Sequence, residues 1–405
     1  MKRLLFVSNG HGEDSIAVTL ARRLADRGYA LAAVPLVGRG DAYAAAGLTV
    51  LGPRDEQPSG GLLLQDLRLL WGDLRAGWVR SVRARLAALG REARQADACV
   101  VVGDAVAIGA AALATRLPRF YLPSAVSVLS RDPRAPAWRP PFGALERRWM
   151  RHSAAVYPRD AATADWLAAN GVVAARFLGN PMLDAVAGDA EVGFPAPYLL
   201  LLPGSRSDAG VNLGRMLETC RHLDEGPAPV IAWAAGPWRP QIDGWRLERT
   251  GAERGVIGWY RHPDGTAVAL ARDAFRTLVA GARAALATTG TAAEQCAGYG
   301  VPVVAFAAPG ALYAAFADRQ KRVLGDALCL ADDDPAAIAA VVRGAIVDGG
   351  YRARAREAGR RAMGEPGGAE RVAADIDGGL RSGTTLDPLQ TRSTSGGAPR
   401  EEQRP

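Results

Sequence analysis

Short apolar runs recur along the chain, each closing in turn residues and giving way to a segment of helical spacing. Leu4–Ser8 is followed by Asn9-Gly-His-Gly-Glu-Asp14 and then by Ile16, Leu20 and Leu24 at helical intervals. The same order returns at Leu31–Val37, Ala98–Gly103, Arg119–Leu122 and Ala154–Tyr157. Runs that are apolar throughout, rather than alternating, suit strands buried on both faces. Strands separated by helices are joined in parallel through crossovers, so the spacing predicts a doubly wound parallel α/β sheet.

Asp184–Pro197 breaks this pattern with Gly188, Gly193, Pro195 and Pro197. Residues 186–197 read as a linker. The pattern then restarts at Tyr198–Leu202, Pro229–Ala234, Ala284–Ala287, Pro302–Phe306 and Ala327–Leu330, between helical segments such as Asn212–Leu223 and Pro335–Val347. At 405 residues two cores are expected rather than one. The reading is of domains over 1–185 and 198–378, the last helix packing back on the first domain. Between the carboxyl ends of two such sheets lies a cleft, where ligands of these folds bind. Past about Gly378 the apolar period stops, and 379–405 reads as a disordered tail.

The net charge of +7 is carried almost wholly by arginine, with lysine at Lys2 and Lys321. No basic stripe is interleaved with stacking aromatics, so nucleic acid is not expected as a partner. Cys99, Cys220, Cys296 and Cys329 are scattered, without a CxxC pair, which speaks against structural zinc and disulfides. The apolar run at the start is too short for a signal-peptide core, and no stretch approaches a membrane span. The expected location is cytoplasmic, peripheral on the inner face of the cytoplasmic membrane.

Tyr198-Leu-Leu-Leu-Leu-Pro-Gly-Ser-Arg206 sets a Gly-Ser-Arg loop after a buried strand. Gly204 lets the backbone approach a phosphate, Ser205 offers a hydroxyl, and Arg206 offers a two-pronged donor for phosphate oxygens. An ordinary tight turn with a surface arginine is the alternative. Ala284-Ala-Leu-Ala-Thr-Thr-Gly-Thr-Ala-Ala-Glu294 again reads strand, small-residue turn, helix, with Thr289, Gly290 and Thr291 at the turn. Helix N-termini carry free N–H groups and a positive dipole end, which suits a diphosphate. Glu294 in the first turn either holds two ribose hydroxyls or merely complements the dipole.

These segments resemble a known family. Leu202-Pro-Gly-Ser-Arg206, Thr288–Phe306 and Gly179-Asn-Pro-Met-Leu-Asp184 look like motifs of lipid-A-disaccharide synthase, and Ser8-Asn-Gly-His-Gly-Glu-Asp14 looks like the branch of lipid-A-disaccharide synthase-related proteins. The resemblance runs from about Leu4 to Ala374. It implies the GT-B architecture, two Rossmann-like domains facing a central cleft, and an inverting, metal-independent hexosyl transfer from a UDP-sugar to a lipid acceptor with no cofactor. It also implies that Glu294 holds the ribose, that Gly204, Ser205 and Arg206 face the diphosphate, and that Gln320 lines the donor cleft.

Inverting transfer needs a base beside the acceptor hydroxyl. The resemblance points to Asp104, after the Ala98–Gly103 run, although Val106-Ala-Ile108 stands where that family has Pro-Asp-Phe. His11 competes, because an imidazole titrates near neutrality. Glu13 is a third candidate, and Glu13 or Asp14 could equally cap the following helix. The first loop differs from that of the synthase, which leaves the acceptor and the sugar open.

Leu63, Leu67, Leu70, Leu74, Trp78, Val82, Leu86 and Leu89 fall at helical spacing with arginines between them. Residues 62–90 therefore suit either an anionic lipid surface or packing on the sheet. Trp138–Trp149 is a second basic, aromatic segment. GxGxxG, P-loop and GxSxG patterns are missing, and Asp332-Asp-Asp334 before Pro335 reads as a helix cap rather than a metal motif. Two rivals share the same donor-site grammar: a UDP-N-acetylglucosamine 2-epimerase-type isomerase and a non-catalytic sugar-nucleotide-binding protein.

Overall fold

Each half of the chain builds its own sheet in the computed structural model, which describes residues 1–54, 78–136, 140–186, 190–205, 208–223, 225–234, 240–249, 255–306 and 311–382. The first sheet contains β1 (Arg3–Ser8), β2 (Ala30–Pro35), β3 (Thr49–Val50), β4 (Ala98–Val102), β5 (Arg119–Leu122) and β6 (Ala155–Val156). They lie in the order β3-β2-β1-β4-β5-β6, every pair parallel. That is the strand order of a Rossmann-like half, with helices closing both faces. All five residues of β4 are buried, as an unbroken apolar run requires.

The second sheet holds β7 (Tyr198–Leu202), β8 (Pro229–Trp233), β9 (Arg246–Arg249), β10 (Val256–Arg261), β11 (Ala267–Arg272), β12 (Ala282–Ala287), β13 (Val303–Phe306) and β14 (Leu328–Ala331). Its order is β14-β13-β12-β7-β8-β11-β10-β9. From β14 to β11 the strands run parallel, and β10 and β9 then pair antiparallel as an edge. The antiparallel edge departs from the uniform parallel sheet expected of this half. Its cause is local. At His262-Pro-Asp-Gly265-Thr266 the His262 amide donates to the Thr266 carbonyl at 2.9 Å, and Gly265 takes φ +97°, closing a hairpin.

Between the halves, Gln295 Nε2 donates to the Met182 carbonyl at 2.8 Å and the Tyr299 hydroxyl to that of Leu183 at 3.2 Å. The helix Gly349–Met363 lies so close to the helix Thr291–Gly298 that a Cβ on Gly359 would fall 2.7 Å from the Ala297 carbonyl carbon and nearer still to its oxygen. The helix Gly368–Arg381 packs on the helix His11–Ala25 of the first half. Asp184 caps its start, accepting from Gly367 N at 2.5 Å and Ala369 N at 2.7 Å. Tyr29 and Tyr157 donate to Asp377 and Asp375 along its length, at 2.7 and 2.5 Å. The helix runs to Arg381, past the boundary set near Gly378, and 383–405 lie outside the described residues.

Within residues 62–90, Arg85 is buried against the sheet rather than turned to solvent. On the helix Trp78–Glu92 its side chain is 1% exposed and donates to the Leu36 carbonyl at 2.6 Å. The helix is pinned to the end of β2 by this guanidinium. Residues 55–77 of the same segment lie outside the described residues.

Candidate functional site

The second sheet reverses winding direction between β7 and β12, because β7 leads outward to β8 and β12 leads the other way to β13. Loops at such a switch point flank a crevice at the carboxyl ends of the strands. Here they are Pro203–Ser205 and Thr288–Gly290. One carbonyl stitches them together: Pro203 O accepts from Thr288 Oγ1 and from Asn212 Nδ2, each at 3.1 Å. Gly204 sits at φ +106°, a conformation other residues rarely adopt. The helix Thr291–Gly298 begins at Gly290, which has no side chain to cap its first-turn N–H groups. Thr289 Oγ1 beside them is buried without a partner among the described residues.

Glu294, in that first turn, does more than complement the dipole. Its Oε2 lies 2.9 Å from Arg159 Nη2, an ion pair that joins the two halves, with side chains 16% and 7% exposed. The same nitrogen donates to Met363 Sδ at 3.3 Å. Gln320 comes from the helix Ala311–Leu324. It is buried, and its Nε2 donates to the Gly290 carbonyl at 2.9 Å and the Thr289 carbonyl at 3.4 Å. The amide therefore tethers the Thr289–Gly290 loop. Replacing Gln320 by leucine is expected to cost about 1 kcal/mol of unfolding free energy, measured by chemical denaturation, through the two hydrogen bonds it removes. Arg206 lies outside the described residues.

On the first half, the carboxyl ends of β1, β4 and β5 gather a second set of groups. Asn9 Nδ2 donates to Asp104 Oδ1 at 2.6 Å, and the same oxygen caps the helix Ala105–Ala114 by accepting from Val106 N at 2.8 Å. Gly103, at φ +148°, leaves room for Asn9: a Cβ would stand 2.9 Å from its Cγ. Glu13 faces this turn and accepts from Ser124 Oγ at 3.5 Å. Burial raises its pKa above the usual carboxylate range, opposed by its own backbone amide and reinforced by the Asp104 charge. His11 is exposed on the first turn of its helix, its ring over Gly38. Neither Glu13 nor Asp14 caps that helix, whose N-cap is Gly10. Asp14 is 1% exposed and bound to Ser8 Oγ at 2.6 Å, and burial pushes it up to about 6.

Asp104, Glu13 and their neighbours thus converge, with His11 at the rim. Glu146 completes the group, although no motif announced it: it is 7% exposed, and burial pushes its carboxyl up to about 7. Amid arginines on a short helix it reads as a surface charge; only the Tyr121 hydroxyl, 3.3 Å away, shows otherwise.

No protein-family model matches the chain, and no curated protein matches it. Solved structures do. The calicheamicin glycosyltransferase CalG4 superposes with a TM-score of 0.64 at 18% identity, covering 95% of this chain and 99% of its own. MurG of Acinetobacter baumannii gives 0.54 at 13%, covering 93% and 100%. The UDP-GlcNAc 2-epimerase of Neisseria meningitidis, bound to UDP-GlcNAc, gives 0.53 at 13%, covering 94% and 100%. The chain has the GT-B fold. The two sets of groups described above lie one in each Rossmann-like half of that fold.

Two further features of this GT-B chain bear on partners. Asp334 accepts from Ala337 N at 2.9 Å and precedes Pro335 at the helix start, and Asp333 pairs with Arg215 at 2.9 Å. Both are in structural use. The helices Trp78–Glu92, Ala105–Ala114 and Ala144–Arg151 pack side by side on one face of the first sheet. Outward they present Val106, Leu113 (76% exposed) and Leu145, with Arg83, Arg91, Arg148 and Arg151 also exposed. Among the described residues no helix is long and apolar enough to cross a membrane.

Proposed function

We propose that this GT-B chain is an inverting, metal-independent glycosyltransferase that moves a hexose or N-acetylhexosamine from a UDP-sugar to a lipid-linked acceptor, as in lipid A or another membrane glycolipid. One observation carries the reading: the uncapped start of the helix Thr291–Gly298, facing the Pro203–Ser205 loop at the switch point, with Glu294 in its first turn. In this reading the N–H groups of that turn and Ser205 take the diphosphate, and Glu294 takes the ribose through Oε1 while Arg159 keeps Oε2. The departing diphosphate is stabilised by those N–H groups and the dipole, so the step calls for no metal. Glu13 serves as base. It is desolvated, which raises its proton affinity, whereas Asp104 Oδ1 is already occupied as a cap.

The exposed Val106–Leu113 stripe and its arginines support a lipid acceptor, held at the cytoplasmic face of a membrane by apolar and anionic contact. The test is transfer of labelled sugar from UDP-sugars into the lipid extract of membranes supplied with the purified protein. Label in lipid, lost in Glu13→Gln, is expected. Leu113→Glu with Arg148→Glu should lower co-sedimentation with anionic vesicles; equal sedimentation would remove the membrane contact from the reading.

A second reading has its own support, because two of the structural neighbours are UDP-N-acetylglucosamine 2-epimerases. Conversion of a UDP-sugar with no acceptor present, followed by proton NMR at the sugar's second carbon, would replace transfer by epimerisation.

A further inference from the structure

Tyr121 is fully buried, and its hydroxyl lies 3.3 Å from the Gly103 carbonyl oxygen and 3.3 Å from Glu146 Oε1. A carbonyl oxygen only accepts, and a phenol has one hydrogen. With Glu146 ionised, both neighbours of the hydroxyl are acceptors and its hydrogen serves one of them. With Glu146 protonated, the carboxyl donates to Tyr121, Tyr121 donates to Gly103, and each group is satisfied. Gly103 is the residue that turns the chain into Asp104.

The geometry points to Glu146 as a positioning residue for the Gly103–Asp104 turn, acting through Tyr121 and requiring its carboxyl proton to do so. This rests on the reading of that turn as part of the acceptor site. The groups that act on Glu146 are Tyr121 from β5, Asp104 from the turn itself and the Gly143 backbone at the start of its own helix. Burial holds the proton on to about pH 7; the Tyr121 hydrogen bond works against that shift and the Asp104 charge adds to it. Below that pH the hydroxyl is committed to Gly103. Above it the hydroxyl turns to the carboxylate and the turn loses a tether.

The sign for stability follows from linkage. An acid that keeps its proton to higher pH in the folded state than in the unfolded one weakens the fold as pH rises through that window. Glu146→Gln supplies a permanent N–H donor in place of the proton. Parent and variant are expected to melt together near pH 5, and the variant about 3 °C or more above the parent near pH 8.5. The Asp104 amide resonance should titrate near pH 7 in the parent, stay fixed in Glu146→Gln, and lose most of its titration in Tyr121→Phe. A melting difference equal at both pH values overturns the proton requirement. An Asp104 amide indifferent to pH in the parent, or titrating fully in Tyr121→Phe, overturns the tether. Neither measurement involves a substrate, so a protein that transfers no sugar would sink the proposed function and leave these two outcomes to decide this inference.

Discussion

Glu294→Ala is expected to destabilise the protein by about 3 kcal/mol and to weaken UDP binding by about 1–3 kcal/mol. The two effects have separate causes. Stability falls because Arg159, 7% exposed, is left as a buried cation whose ion-pair partner is gone. Affinity falls because the ribose loses a charged acceptor. The double variant Arg159→Met with Glu294→Ala removes both charges, and it should recover most of the stability and none of the affinity. Chemical denaturation and calorimetry read the two quantities independently. If the double variant is as unstable as Glu294→Ala, the ion pair is not what binds the halves at this point. Unchanged UDP affinity in Glu294→Ala would remove this residue from the donor site.

Gly359→Ala should be at least as damaging, by about 3 kcal/mol or a fall in melting temperature of about 6 °C or more. The new methyl meets backbone atoms of Ala297, which no rotamer change can move aside. The helix Gly349–Met363 must shift, and with it the helix that bears Glu294, so UDP affinity drops as well. Gly344→Ala supplies the contrast. That glycine is also helical, but nothing lies within 4 Å of its would-be Cβ, and the substitution should be neutral or stabilising by about 0.5–1 kcal/mol. Equal melting of the two variants would show that the helices are not in contact at Gly359.

The parallel strands were legible because burial on both faces leaves an apolar run that composition alone betrays, as in Tyr198–Leu202. The antiparallel edge strands β9 and β10 were not. Arg246, Glu248 and Arg249 on β9 carry charge at an exposed edge, and the His262-Pro-Asp-Gly265 turn that pairs its neighbours was the one cue available. In the site, Glu294 and the Thr288–Thr291 turn were legible, since a helix N-terminus is a local property. Arg159 was hidden, being brought to Glu294 only by the meeting of the halves. The bonds that Gln320 and Arg85 make to backbone carbonyls were not legible. Amide and guanidinium groups bond backbone carbonyls as well as ligands, and spacing along a helix does not distinguish the two.

The helix Gly368–Arg381 closes the first half although it is the last described element of the chain. During synthesis the first sheet and the helix His11–Ala25 leave the ribosome long before Val372, Ala373, Ile376 and Leu380, which cover that helix in the finished protein. The nascent first half therefore carries an apolar flank open to water until Val372–Leu380 have emerged. A gene cut at the linker would yield two fragments, each lacking what the other supplies, and co-expression rather than separate expression is the route by which they would become soluble.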